Sequence, residues 1–198
     1  MKRSTQKLSA GALLIMFMAV GASSAQQRDT DPSNETATST VDMGQNLPSA
    51  QAIRDGLFPP SEDQCEQLKA AGFKCMGFKP SVRYSLPANA FKLGSAEIPG
   101  TLKKQLDVFA EVLKTKRDAS KKVRVEGHAD ASGAAAANVA LSQRRAEAVK
   151  AYLVDLGADA EMLEAVGMGA TLPKVKDNPL SPENRRVEIG RANPPTDH

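Results

Sequence analysis

The chain is poor in the residues that build metal centres, aromatic surfaces and membrane spans: its 198 positions include two cysteines, two histidines, no tryptophan and only 4% aromatics. Each shortage excludes something. A zinc site draws its ligands chiefly from cysteine and histidine, and beyond the cysteine pair only His128 and His198 could serve, so no metal set is expected. The longest mostly apolar run, Ala10 to Ala22, falls short of the ~20 apolar residues of a comfortable membrane-spanning helix. Net charge is also lacking where it would matter. The formal +3, from 26 basic and 23 acidic residues, resides in Lys2, Arg3 and Lys7, and without them 23 face 23. That balance argues against a general electrostatic hold on nucleic acid or anionic lipid. With so few aromatics, aliphatic side chains must fill the core.

What the chain does have begins with an export pattern. Lys2, Arg3 and Lys7 give a positive start, Ala10 to Ala22 an apolar run, and Ser23-Ser24-Ala25 small residues for cleavage before Gln26. Residues 1–25 are therefore expected to be a signal peptide, with an uncleaved anchor as the alternative. No cysteine lies beside the cleavage point, so no lipoprotein processing site is expected. An exported chain meets an oxidising compartment, where Cys65 and Cys75, ten residues apart, read as a local disulfide.

Residues 26–50 are rich in Ser, Thr, Asp, Asn and Pro and read as a flexible tether. Residues 51–81 form a small denser segment, with a short helix from Ser61-Glu62-Asp63 to about Ala71 stopped by Gly72, and read as a structural cap. From Val82 the periodicity becomes regular. Val82, Tyr84 and Leu86 alternate as a strand, and Leu102, Leu106, Phe109, Ala110 and Leu113 recur at helical spacing after Pro99. Val123 and Val125 mark a second strand. A helix follows from about Asn138 to Leu156, with Gly157 as its stop. Short strands are expected at Leu163–Val166 and around Val187 and Ile189, and residues 192–198 as a tail. The fold class is an α/β (α+β) sandwich: a mixed sheet of about four strands with two main helices on one face.

Chemistry concentrates between Val125 and Val149. Asp130 sits in a Gly-containing loop leading into a helix N-terminus, where backbone N–H groups point outward. On that helix Leu141, Ala148, Val149, Tyr152, Leu153 and Leu156 mark an apolar stripe, and Arg145 falls on it, four residues from both Leu141 and Val149. Arg144 faces outward with Glu147 and Lys150. A guanidinium on an inward face needs a partner. Asn138 and Ser142 lie on its side. A carboxylate, a guanidinium and an amide in one small pocket suit a zwitterion: the carboxylate accepts from an ammonium, and arginine grips a carboxylate with two prongs. From spacing alone, an internal Asp130–Arg145 ion pair explains the same residues.

Gly127-His128-Ala129-Asp130, Gly133, Asn138, Leu141-Ser142, Arg145-Ala146 and Val149 resemble the signature of the OmpA C-terminal domain family. The similarity extends to Phe91, Gly94-Ser95-Ala96-Glu97 and Asn184-Arg185-Arg186-Val187, covering about residues 82–191. The resemblance implies a non-catalytic, peptidoglycan-binding module in the periplasm, with or without association with the outer membrane. It implies that Asp130 and Arg145 hold the zwitterionic end of meso-diaminopimelate in the stem peptide. Asn138 would line the pocket, with Arg186 as a weaker candidate. Ala129 stands where the family usually has threonine, removing a hydroxyl near the pocket. No cofactor is implied, and no nucleic acid.

Two other functional classes compete with this reading. His128, near Asp130, Ser132 and Ser142, raises the thought of a hydrolase, but no activated nucleophile is evident and His128 reads as a packed, hydrogen-bonded structural residue. The other class is an envelope partner-binding or structural protein whose Asp130–Arg145 pair is internal, docking an outer-membrane or envelope protein. An exposed apolar patch at Phe73, Met76 and Phe78 would favour it.

Overall fold

The computed structural model describes residues 39–75, 81–87, 91–92 and 94–192. The expectations for residues 1–38 and for the tail beyond 192, and for Met76 and Phe78, lie outside the described residues.

The elements in chain order are β1 (Thr40–Asp42), α1 (Ala50–Leu57), α2 (Glu62–Ala70), β2 (Arg83–Pro87), α3 (Gly100–Leu113), β3 (Val123–His128), α4 (Ala135–Asp155), β4 (Leu163–Gly169) and β5 (Arg186–Arg191). The five strands make one mixed sheet in the order β1-β2-β5-β3-β4. β2 and β3 both run antiparallel to β5, while β4 is parallel to β3 and β1 to β2. Alternation sends Tyr84, Leu86, Val123, Val125, Val187 and Ile189 to one face. There they meet Leu102, Leu106, Phe109 and Leu113 of α3 and Ala146, Val149 and Leu153 of α4 in one buried cluster. The sandwich and its two main helices match the periodicity.

The sheet has a fifth strand that the periodicity did not show. Thr40–Asp42 falls inside the stretch read as a tether, yet it pairs in parallel with Arg83–Ser85. The residues that follow it are anchored in the core. Met43 is buried in the core, and the buried Gln105 side chain of α3 donates to the carbonyls of Gly44 (3.0 Å) and Asn46 (2.8 Å). Backbone pairing needs no apolar composition, which is why a polar stretch can form an edge strand.

The segment read as a cap also divides. α1, capped by Ser49 Oγ accepting from the Ala52 amide, places Ile53 and Leu57 in the main core. Tyr84 secures it by donating its hydroxyl to the Ala52 carbonyl at 2.8 Å while its ring meets Phe109 edge-on. α2 starts with a capping box between Ser61 and Gln64 and is exposed at nearly every described position. Only Cys65 turns inward, bonded to Cys75 with Cα atoms 5.4 Å apart.

Two glycines set how closely α4 lies on the sheet. A Cβ at Gly127 would collide with the Ser142 carbonyl, and one at Gly167 would lie 2.5 Å from the Gln143 amide nitrogen. Helix backbone therefore rests on strand backbone. That contact lets Gln143 reach the outer edge of β4, accepting from the Gly167 amide (2.6 Å) and donating to the Ala165 carbonyl (3.2 Å).

Candidate functional site

The end of β3 and the start of α4 carry the pocket. The chain leaves β3 after His128, and Ala129 still donates to the Gly169 carbonyl at 2.7 Å. The loop then turns at Asp130. Its Oδ1 accepts from the Ser132 amide at 3.0 Å and from the Ser132 hydroxyl, and its Oδ2 accepts from Arg185 at 2.6 Å. Burial alone would raise the Asp130 carboxyl, but Ser132 and Arg185 outweigh it and hold the group below the ordinary carboxylate value.

Asn138, in the first turn of α4, is buried and spends its amide on the loop, donating to the carbonyls of Asp130 (2.9 Å) and Gly133 (3.3 Å). It shapes the turn that presents Asp130. The buried stripe of α4 runs through Asn138, Ser142, Arg145, Ala146, Val149 and Leu153. Arg145 is on it as the spacing predicts and Arg144 is exposed, whereas Leu156, expected on the stripe, is exposed where the helix ends.

Arg145 is 1% exposed. Its Nε donates to the Ser95 carbonyl at 3.0 Å, and its guanidinium carbon lies 5.0 Å from the Phe91 ring centre. Among the described residues it has no carboxylate within ion-pair distance, and one terminal nitrogen, NH1, is buried without any partner. Burial first, then Arg185, pulls its pKa below the ordinary guanidinium value; Asp130 pushes the other way. The internal Asp130–Arg145 ion pair that spacing allowed is not formed. Asp130 has taken Arg185 instead.

Arg185 was not singled out in the sequence, although it lies in the Asn184-Arg185-Arg186-Val187 element. Its position depends on Asn184, which is fully buried and ties the preceding loop by accepting from the Val175 amide (2.8 Å) and donating to the carbonyls of Asn178 (2.9 Å) and Pro179 (3.0 Å). The Ala131 amide joins the two loops by donating to the Pro179 carbonyl. Arg186, one residue on, points to the other face of the sheet. There it is held by Glu188 (2.6 Å), Leu172 and Asn184 and does not reach Asp130. His128 also faces that side. It is packed, as expected, but neither ring nitrogen has a hydrogen-bond partner among the described residues. Burial, with Arg186 and Arg83 beside it, pushes the ring down to about 3, so it is neutral.

A mixed sheet with helices on one face thus carries, at the end of β3, a pocket built from a carboxylate and a buried guanidinium. Residues 90–186 match the OmpA family. It is 37% identical over 101 residues to a peptidoglycan-associated lipoprotein of Pseudomonas aeruginosa, covering 50% of this chain and 58% of the relative. It is 40% identical over 101 residues to one of Haemophilus influenzae, covering 50% and 65%. Among solved structures it is similar to the peptidoglycan-associated lipoprotein of Burkholderia pseudomallei, with a TM-score of 0.47 and 28% identity over 52% of this chain and 87% of that one. The chain thus spans less than two thirds of the curated relatives' length.

Proposed function

We propose that the protein binds peptidoglycan without catalysis in the cell envelope, by gripping the zwitterionic end of meso-diaminopimelate in the stem peptide. Arg145 carries the reading. A buried guanidinium normally has a carboxylate partner and few idle donors, and this one has a free NH1 and no acid beside it among the described residues. A ligand carboxylate supplies the missing partner. Asp130, already ionised, accepts the ligand's ammonium, which takes the place of the Arg185 guanidinium. Exchanging one cation for another keeps the carboxylate paired throughout, so the cost of stranding a buried charge is avoided. Arg185, with a side chain 28% exposed, has room to swing outward. Ala129 adds only backbone to the site, and Asn138 acts through the loop. The names of the relatives support the wall as ligand, and the export pattern supports the periplasm as its place.

The test is co-sedimentation of the protein with purified sacculi of two chemotypes. Walls with diaminopimelate should retain it. Walls with lysine keep the ammonium but lack the side-chain carboxylate that Arg145 would hold, so retention should fall sharply. Equal retention on both walls refutes the grip.

One observation favours a further envelope partner. Phe73 and Leu68, on the disulfide-closed lobe around α2, are 65% and 40% exposed. Crosslinking from Phe73 in cells tests whether this lobe docks a protein.

A further inference from the structure

The open face of the sheet carries a cluster that the pocket does not use. β3 and β5 are antiparallel neighbours, with Glu126 opposite Glu188 and His128 opposite Arg186. Since alternate residues share a face, Glu126, His128 and Glu188 project together on the side away from α3 and α4. All three are buried, and one ligand atom from each can lie within 4.8 Å of the others. His128 Nε2 is 3.8 Å from Glu126 Oε2 and 4.0 Å from Glu188 Oε2. The outer oxygens are held from behind: Arg186 donates to Glu188 Oε1 at 2.6 Å, and Arg124 lies 3.8 Å from Glu126 Oε1. Ligating carboxylates are commonly oriented by such outer partners. The inner oxygens share Arg83, which contacts Glu126 Oε2 and lies 3.6 Å from Glu188 Oε2.

These ion pairs leave His128 unexplained. Its side chain is 1% exposed and aimed at the two inner oxygens, yet among the described residues both ring nitrogens lack a partner. Buried polar atoms are normally satisfied, and leaving them otherwise costs stability. A cation between the three groups would bond the ring nitrogen. Two metal–ligand bonds of about 2.1 Å can together span as much as roughly 4.2 Å. Separations of 3.8 and 4.0 Å therefore need little contraction.

We propose that Glu126, His128 and Glu188 form a site for a divalent transition-metal ion of the zinc class, which enters by displacing the Arg83 guanidinium from the two inner carboxylate oxygens. One imidazole and two carboxylates suit zinc better than calcium or magnesium, which favour all-oxygen sets. Arg83 is the arginine able to leave. Its side chain is 18% exposed, whereas that of Arg186 is 8% exposed and tied to two backbone carbonyls. Histidine scarcity hid the site, because a set with two carboxylates needs only one imidazole.

The test uses the full chain with its disulfide intact. Equilibrium dialysis against Zn²⁺ should give one ion per chain, and ¹⁵N spectra of the histidine rings should show the His128 nitrogen shifting on addition of zinc but not of Ca²⁺ or Mg²⁺. Glu188→Gln should weaken binding at least roughly tenfold, since loss of an outer-shell partner alone costs about that much. Arg83→Gln should tighten it, because the resident cation is gone. The proposal is overturned if zinc leaves the His128 nitrogens unshifted, if Glu188→Gln binds as wild type, or if Arg83→Gln binds no tighter. Since Glu188→Gln deprives Arg186 of its partner and could disturb folding, the wild-type histidine resonance decides the question on its own.

Discussion

Arg185 donates to Asp130 at 2.6 Å, and Arg145, the arginine that helical spacing points to, has no acid at all among the described residues. The two arginines therefore have different expected roles. Arg185 is a removable counter-ion for Asp130, and Arg145 is a fixed receptor for an incoming carboxylate.

Replacing Asp130 or Arg145 by alanine should weaken sacculus binding by about 1.5–3 kcal/mol each, since charge-assisted bonds are lost on one side of the ligand. Arg144→Ala, altered at an exposed position of the same helix, should bind as wild type. Co-sedimentation across a protein dilution series measures all three. Equal losses for Arg144 and Arg145 contradict the assignment.

The counter-ion role makes a titration prediction. With its folded pKa depressed, Asp130 contributes stability above its unfolded value, and that contribution is lost as pH falls through the folded pKa. Removing Arg185 takes away one of the lowering partners. In Arg185→Ala the Asp130 carboxyl, followed by carbon-detected NMR, should titrate at a higher pH than in wild type, and acid unfolding should begin earlier. An unchanged titration would show that Ser132 alone sets the group.

Gly127→Ala should be strongly destabilising, by about 1–3 kcal/mol or more, because the added methyl collides with the Ser142 carbonyl in a helix that cannot withdraw without vacating the core. Wall binding should fall with it, as the same helix carries Asn138 and Arg145. Urea denaturation gives the first quantity and co-sedimentation the second.

Reduction of Cys65–Cys75 should loosen α2 while leaving the pocket intact, because the lobe is exposed and shares no bond with Asp130, Arg145 or Arg185 among the described residues. Loss of the short closed loop should cost that lobe about 2–3 kcal/mol. Hydrogen exchange should report faster amides across residues 62–75, with retention on sacculi unchanged. Weaker retention after reduction would tie the lobe to the wall.

Much of this protein was written into the chain directly. Period-two alternation at Val123 and Val125 and at Val187 and Ile189, and helical spacing from Leu102 to Leu113, fixed strand and helix type, because one-sided burial imposes a period on the sequence. The same logic exposed Arg145 as a charge on an inward face and Arg144 as its solvent-facing neighbour. Tertiary structure decided what depends on residues far apart in sequence. β1 pairs with β2 some forty positions on, and Gln105, about sixty positions away, bonds Gly44 and Asn46 just after it. Asp130 pairs with Arg185 rather than Arg145 because Asn184 folds the 175–184 loop against it. Glu126, His128 and Glu188 meet only because β5 lies antiparallel to β3 in one register. Local periodicity records which side of an element is buried; the partner across the sheet or loop leaves no trace in it, since any polar residue satisfies the same pattern.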